Sequence, residues 1–284
     1  MELWLIRHGE TADNHLRILA GHLPGKLSQL GVSQAVKTGK RLAQENWTEI
    51  YCSDLGRAKE TLENILLPCP DKYTDKIHFT ELLREKGAGV LQGQALGIWK
   101  ANATKAGMSI RQYKAEKGES WEDVYMRADK FIENLIEKYI KRKTTEDDIL
   151  SLEDVNLKAI KKSNFSMENK NSDKFEESKI EMGIQGQSFQ PVKKTIQLNA
   201  SAKVIKAKEE LPKILVVTHG GFIMEFFNAL NYRKSKQKPI FLNNTKNCSV
   251  NVVRISENIG KKKVNGELVY EVTVRNDVSH VEGN

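Results

Sequence analysis

The chain is 284 residues long, 39% hydrophobic and 29% charged, with a formal net charge of +8. That is enough for a sizeable core under a polar surface, in one large domain or two ordinary ones. No apolar run approaches the roughly 18–20 residues of a membrane span, and no signal-like segment precedes the first predicted strand, so a cytoplasmic protein without membrane partners is expected.

Glu2 to Ile6 is short, apolar and rich in strand formers, and predicts a buried strand. It breaks at once into Arg7-His8-Gly9-Glu10-Thr11. A strand ending in Arg, His and Gly suits an anion: Arg offers a fixed fork of donors, His a ring nitrogen that can donate, accept or attack, and Gly close backbone approach. A loop from His15 to Leu27 follows, with Gly21, Pro24 and Gly25 as turn residues. Ser28 is placed to cap a helix from Gln29 to about Glu45.

Thr48 to Cys52 predicts a second strand. It runs into Ser53-Asp54-Leu55-Gly56-Arg57, where a helix to about Leu67 begins, with Ser53 or Asp54 as its cap. Arg57 then stands in the first turn, at the helix's positive end, where an anion is favoured. Lys76 to Leu82 predicts a third strand, ending in Leu83-Arg84-Glu85-Lys86-Gly87. Helices are expected at about Gln94 to Lys105 and Trp121 to Lys141.

From 143 to 210 the composition turns to Lys, Glu, Asn and Ser with little periodicity, and a mobile low-complexity insertion is expected. Order returns with Lys213-Ile214-Leu215-Val216-Val217, a run typical of a central parallel strand. It ends in Thr218-His219-Gly220-Gly221, and an apolar helix follows. Strands at about Cys248 to Ile255 and Leu268 to Arg275 close the chain as a hairpin, with Lys261-Lys262-Lys263 in its turn. The alternation predicts a single α/β domain, residues 1–284: a three-layer sandwich with a mostly parallel central sheet and helices on both faces, interrupted by the 143–210 insertion.

Cys52, Cys69 and Cys248 are odd in number and widely spaced, which fits small buried thiols in a reducing compartment rather than disulfides or zinc. The histidines show no metal-ligand spacing, and neither a metal nor another cofactor is expected. The positive charge lacks the aromatic-interleaved clusters of nucleic-acid binders; small anions explain it as well.

Four strand ends carry Arg7 and His8, Arg57, Glu85, and His219. Together they have the chemistry of phosphoryl transfer through a phosphohistidine. Two arginines and a second histidine can neutralise the phosphoryl oxygens. His8 can attack phosphorus if a backbone carbonyl holds its other ring nitrogen. Glu85 can give a proton to the leaving alcohol and then activate water.

The motifs Arg7-His8-Gly9-Glu10-Thr11 with Asn14, Ser53-Asp54-Leu55 with Arg57-Ala58 and Thr61, Leu83-Arg84-Glu85 with Gly89 and Gly93, and Thr218-His219-Gly220 resemble, in that order, those of the histidine phosphatase superfamily, in its phosphoglycerate mutase-like branch. Gly118-Glu119-Ser120 and Asn247 with Ser249 resemble further elements of that family. The resemblance implies His8 as phosphorylated nucleophile, Arg7, Arg57 and His219 as phosphoryl ligands, and Glu85 as proton donor. It implies substrate contacts from Asn14, Gly21, Glu119, Ser120, Asn247 and the backbone at Gly220, while Arg17, Lys26 and Lys86 are candidates for a second phosphate. The nearest likeness within the family is to its fructose-2,6-bisphosphatases, so the expected partner is a small phosphorylated metabolite. A broader phosphomonoesterase, a phosphoglycerate-type phosphatase or mutase, and a catalytically idle binding scaffold are the alternatives. Lys26, Ala88 and Gln92 depart from the family pattern and would reshape the pocket.

Overall fold

The computed structural model describes residues 1–141, 211–237, 245–258 and 267–282. The 143–210 insertion and the 261–263 turn fall outside the described residues. The elements in chain order are β1 (Glu2–Arg7), α1 (Ala12–His15), α2 (Gln29–Leu42), β2 (Glu49–Ser53), α3 (Gly56–Leu66), β3 (Ile77–Thr80), α4 (Ile98–Lys105), α5 (Trp121–Tyr139), β4 (Lys213–Thr218), α6 (Gly220–Ser235), β5 (Val250–Glu257), β6 (Leu268–Asp277) and α7 (Ser279–Glu282).

The strands form one six-stranded sheet in the order β3-β2-β4-β1-β5-β6. β3, β2, β4 and β1 run parallel, while β5 and β6 are antiparallel additions. This is the mostly parallel α/β sandwich expected from the alternation of elements.

Successive strand residues point to opposite faces, so each strand feeds two cores. Leu3, Leu5, Ile214 and Val216 pack with Phe131, Ile132 and Leu135 of α5 and Phe222 and Phe226 of α6. Ile6, Ile50, Leu215 and Val217 pack with Leu42 of α2 and Ala58, Leu62 and Ile65 of α3. With both faces covered, β1 and β4 are apolar between their polar ends, as buried parallel strands are. A smaller cluster of Ala88, Leu91, Trp99 and Ala115 lies under the segment that follows β3.

Register decides where the polar ends fall. Arg7 of β1 stands beside Thr218 of β4, and Cys52 of β2 beside Val217. The residues just past these positions, His8, Ser53 and His219, therefore leave the sheet at one level.

Several boundaries depart from expectation. α1 occupies part of what reads as a loop, closed by a reciprocal cap in which Thr11 accepts from the Asn14 N–H and Asn14 accepts from the Thr11 N–H. β3 is cut to Ile77–Thr80 because Glu81–Leu83 tightens into a 3₁₀ turn. α4 starts at Ile98 rather than near Gln94. Neither Ser53 nor Asp54 caps α3: its N-cap position is Leu55, without a side-chain bond. Asp54 is drawn off into an ion pair with Arg84, and the Ser53 hydroxyl meets His219.

Candidate active site

His8 leaves β1 with its own N–H bonded to the Thr218 carbonyl. It is 2% exposed, and its Nδ1 lies 2.7 Å from the Gly9 carbonyl oxygen. A carbonyl can only accept, so Nδ1 carries the proton and Nε2 keeps its lone pair. Burial, then the charges of Arg57 and Arg7, hold the His8 imidazolium well below its ordinary pKa. At neutral pH the His8 ring is thus neutral and oriented, with Nε2 available as an acceptor or nucleophile. Gly9 is fixed in turn by its N–H to Thr61 Oγ1 at 3.0 Å.

His219 follows β4 and is fully buried. Its ring centroid is 5.1 Å from that of His8. Nε2 lies 2.8 Å from Ser53 Oγ, and Nδ1 is buried without a protein partner. Burial, again with Arg57 and then His8 and Arg7 beside it, depresses its pKa. An anion between the two rings would offset that depression and let His219 bind as a cation.

Arg57, 2% exposed, reaches inward from the first turn of α3. Its Nη2 donates to the Gly21 carbonyl at 2.9 Å and its Nη1 to that of Leu23 at 3.3 Å. Gly21 takes a left-handed φ of +53°, which aims its carbonyl at the guanidinium. Gly21 therefore positions Arg57, where the resemblance implied a direct substrate contact. Arg7 Nη1 donates to the Thr245 carbonyl, while its Nε is buried and unpartnered. Burial lowers the pKa of both arginines and the Glu85 charge raises it, so the two cations share one carboxylate.

Glu85 stands past the 3₁₀ turn that ends β3. Its Oε1 accepts from the Lys86 N–H at 2.8 Å and its Oε2 from the Gly221 N–H at 3.0 Å. The second bond ties the carboxylate to the N-terminus of α6. Gly220 packs against Arg7: a Cβ there would meet Arg7 Nε at 3.4 Å.

The other expected contacts divide. Asn247 Nδ2 donates to the His8 carbonyl at 2.9 Å and to Asn14 Oδ1 at 3.1 Å, so both asparagines brace the His8 backbone. Glu119 is engaged by Arg127 Nε and Nη2, both at 2.9 Å, and by the Gly87 N–H at 2.7 Å. Ser120 caps α5 by accepting the Asp123 N–H at 3.1 Å. Both carry structural bonds, and the Ser120 hydroxyl, an acceptor in its cap, keeps its proton to donate. Arg17, at φ +55°, and Lys26 are exposed and are not brought to the histidines by any bond in the site. Lys86 is buried beside Glu85.

Four contributors escaped sequence reasoning. Ser53 meets His219 although its motif suggested only a cap. Gly221 holds Glu85. Arg127 donates to the carbonyls of Leu82, Arg84 and Glu85 at 2.8, 3.0 and 3.4 Å, fixing the strand end that carries the carboxylate. Thr245 anchors Arg7 through its carbonyl. The doubled glycine after His219 was a readable signal for Gly221; the rest depend on contacts distant in sequence. Among the described residues no group of three or more His, Cys, Asp or Glu is placed to hold a metal, and no helix is long and apolar enough to cross a membrane.

These features have relatives. Fructose-2,6-bisphosphatase TIGAR B of Danio rerio is 34% identical over 140 residues, covering 49% of this chain and 54% of that protein. The matches span about half the length of such relatives. Among solved structures, Bacillus stearothermophilus YhfR superposes with a TM-score of 0.59 at 20% identity, covering 99% of both chains. The phosphoglycerate mutase from Bacillus anthracis superposes with a TM-score of 0.58 at 19% identity, covering 99% of this chain and 95% of that one. The fold is therefore phosphoglycerate mutase-like. The model of the histidine phosphatase superfamily, branch 1, matches residues 3–150, a span that holds Arg7, His8, Arg57 and Glu85, and the chain belongs to that superfamily.

Proposed function

We propose that this chain hydrolyses a small phosphate ester through a phosphohistidine at His8. The observation that carries the reading is the His8 Nδ1 bond to the Gly9 carbonyl, which leaves Nε2 unprotonated beside the buried Arg57 and the half-buried Arg7, whose Nε is buried. Nε2 attacks phosphorus and the P–O bond to the alcohol breaks. Glu85 delivers the proton that the leaving oxygen needs. Water then attacks phosphorus as the P–Nε2 bond breaks, gives its proton to the Glu85 carboxylate, and phosphate leaves with His8 restored. Arg7, Arg57 and a protonated His219 stabilise the charge on the transferring group.

Fructose 2,6-bisphosphate is the leading substrate, because relatives at 34–36% identity bear the name fructose-2,6-bisphosphatase. On this reading the chain works in the cytoplasm on sugar phosphates and tunes glycolytic flux. A taste for phosphoglycerates or other small monoesters is the rival.

The test is phosphate release in EDTA from fructose 2,6-bisphosphate, 2,3-bisphosphoglycerate, 3-phosphoglycerate and an aryl phosphate. Release should fall at least about 10³-fold in His8→Ala, and protein quenched in alkali should carry phosphate on His8 that is stable to base and lost in acid. Release that persists in the variant refutes the phosphohistidine. No release from any ester by folded protein favours a binding scaffold.

A further inference from the structure

Arg7 and His8 are gripped from outside β1 by the run 245–248, just before β5. The Thr245 carbonyl accepts from Arg7 Nη1, Asn247 Nδ2 donates to the His8 carbonyl at 2.9 Å, and the Cys248 N–H donates to the Arg7 carbonyl at 3.0 Å. Among the described residues the Thr245 carbonyl is the one hydrogen-bond acceptor of the Arg7 side chain, so a shift of the loop carries the guanidinium with it. Cys248 sits at a left-handed φ of +54°. A residue with a β-carbon keeps that conformation only where its surroundings hold it.

The C-terminal segment does the holding. Lys246, between the gripping residues, is fixed from behind: its N–H donates to Asn276 Oδ1 at 2.8 Å and its Nζ to Glu282 at 2.6 Å. The second of these is an exposed ion pair and contributes little. The firmer attachment is His280 of α7, whose half-buried ring is within hydrogen-bond reach of the Cys248 carbonyl.

That ring is tied to α2 through both nitrogens. Arg41 Nη1 lies 2.8 Å from Nδ1 and can only donate, so Nδ1 is an acceptor and the ring proton sits on Nε2. Nε2 then donates to Oγ1 of the fully buried Thr38 at 3.0 Å, and the Thr38 hydroxyl donates to the Gln34 carbonyl at 2.8 Å. Arg41 is itself held by Asp277 through Nη2 at 2.6 Å. His280 is thus one fixed donor and one fixed acceptor wedged between α2 and the loop that grips Arg7.

We propose that His280 is a positioning residue: through Cys248 and the 245–248 loop it sets the backbone of Arg7 and His8 and the place of the Arg7 guanidinium. The proposal rests on the phosphatase reading, because the group that Arg7 meets on that reading is a phosphoryl group.

Two measurements on folded protein test it, in His280→Leu, which removes both ring bonds, and in His280→Gln, whose amide keeps a donor and an acceptor. The first is the calorimetric affinity for inorganic phosphate. His280→Leu should weaken it about tenfold, the size of coupling expected within one hydrogen-bonded network, and His280→Gln should recover most of the loss. The second is labelling of Cys248 by a disulfide reagent, read by mass spectrometry against Cys52. Both thiols are buried, but Cys52 lies in the core between the sheet and α3 and reports global opening. His280→Leu should speed Cys248 at least about tenfold relative to Cys52, the mark of local rather than global unfolding. Arg41→Met withdraws only the donor at Nδ1, and should give the same ordering on a smaller scale if His280→Leu folds poorly. Phosphate affinity that His280→Leu leaves unchanged overturns the proposal while the phosphatase reading stands. Labelling of both cysteines accelerated in step overturns it too, since His280 would then serve stability alone. If native protein takes up no phosphate, the phosphatase reading fails and the labelling ratio decides: selective release of Cys248 supports the positioning role, and an unchanged ratio refutes it.

Discussion

The backbone N–H of Gly221 donates to Glu85 Oε2 at 3.0 Å, and a Cβ at position 221 would lie 2.0 Å from Glu85 Oε1. The first turn of α6 and the carboxylate are thus fitted to each other with no space for a methyl group. Gly221→Ala must displace Glu85 while leaving His8 and the arginines in place. Misplacing a catalytic group by about 1 Å costs roughly 10²-fold in rate, and that is the expected loss in kcat for alkyl phosphates. Aryl phosphates, whose leaving oxygen needs little help from an acid, should lose much less. An equal loss on both ester types would show that Gly221 does not act through Glu85.

Arg127 fixes the same carboxylate from behind. Its guanidinium holds the carbonyl groups of Leu82, Arg84 and Glu85 past the β3 exit and both oxygens of Glu119. Arg127→Met would leave Glu119 partly buried and unpaired, with the carbonyls of Leu82 and Arg84 deprived of a donor. Breaking a buried pair of this kind typically costs about 3–5 kcal/mol. Because Arg127 is 18% exposed at its side chain, about 2–4 kcal/mol is expected here, allowing for solvent screening. Urea denaturation would measure it, and a loss below about 1 kcal/mol would deny Arg127 this bracing role.

Local signals carried much of this architecture and long-range ones did not. The run Lys213–Val217 is apolar at every position after its first residue, and only a strand covered on both faces tolerates that, so β4 was legible. Arg7, His8 and His219 were legible because polar residues ended apolar runs. That His8 and His219 meet follows from the β1–β4 register, which pairs Arg7 with Thr218, and register between strands over 200 residues apart has no local trace. Ser120 is ambiguous for a related reason. A serine beside a candidate loop reads equally as a ligand or a cap, and only the position of the Asp123 N–H shows the cap. Gly21 likewise reads as a turn until Arg57 is seen against its carbonyl.

Thiol chemistry follows from burial. Cys52 and Cys248 are fully buried, and burial pushes the Cys52 thiol up and that of Cys248 up to about 12. Neither should form thiolate at neutral pH. Cys69 is partly exposed. Native protein at pH 8 should therefore react with a disulfide reagent first at Cys69, with Cys52 and Cys248 labelled only on unfolding. Mass spectrometry of the partly labelled protein would check the order, and early labelling of Cys248 would contradict its burial beneath Arg7.

The buried histidines set the acid limit of stability. His8 and His219 have folded pKa values well below 6.5, chiefly from burial and then from Arg57. The unfolded chain protonates both near pH 6.5. As pH falls below that value the unfolded state binds protons that the folded state refuses, so stability is complete above it and declines beneath it. Two such groups give a slope of up to about 2.7 kcal/mol per pH unit. His280 adds in the same direction: it is depressed by burial and by Arg41, whose Nη1 donates to its Nδ1 at 2.8 Å. A second window opens lower, where Asp277, held at about 2 by the Ser279 N–H and Arg41, takes up its proton between about pH 4 and 2. Tm should therefore drop between pH 7 and 5, and His219→Asn should flatten that drop by roughly a third to a half. Inorganic phosphate should reverse it, because an oxyanion beside His219 gives the unpartnered Nδ1 a reason to be protonated. The rise in Tm on adding phosphate should be larger at pH 5.5 than at pH 8. A Tm that stays level from pH 7 to 5, or a phosphate effect greater at pH 8, would mean that the two rings are not held neutral by the arginines around them.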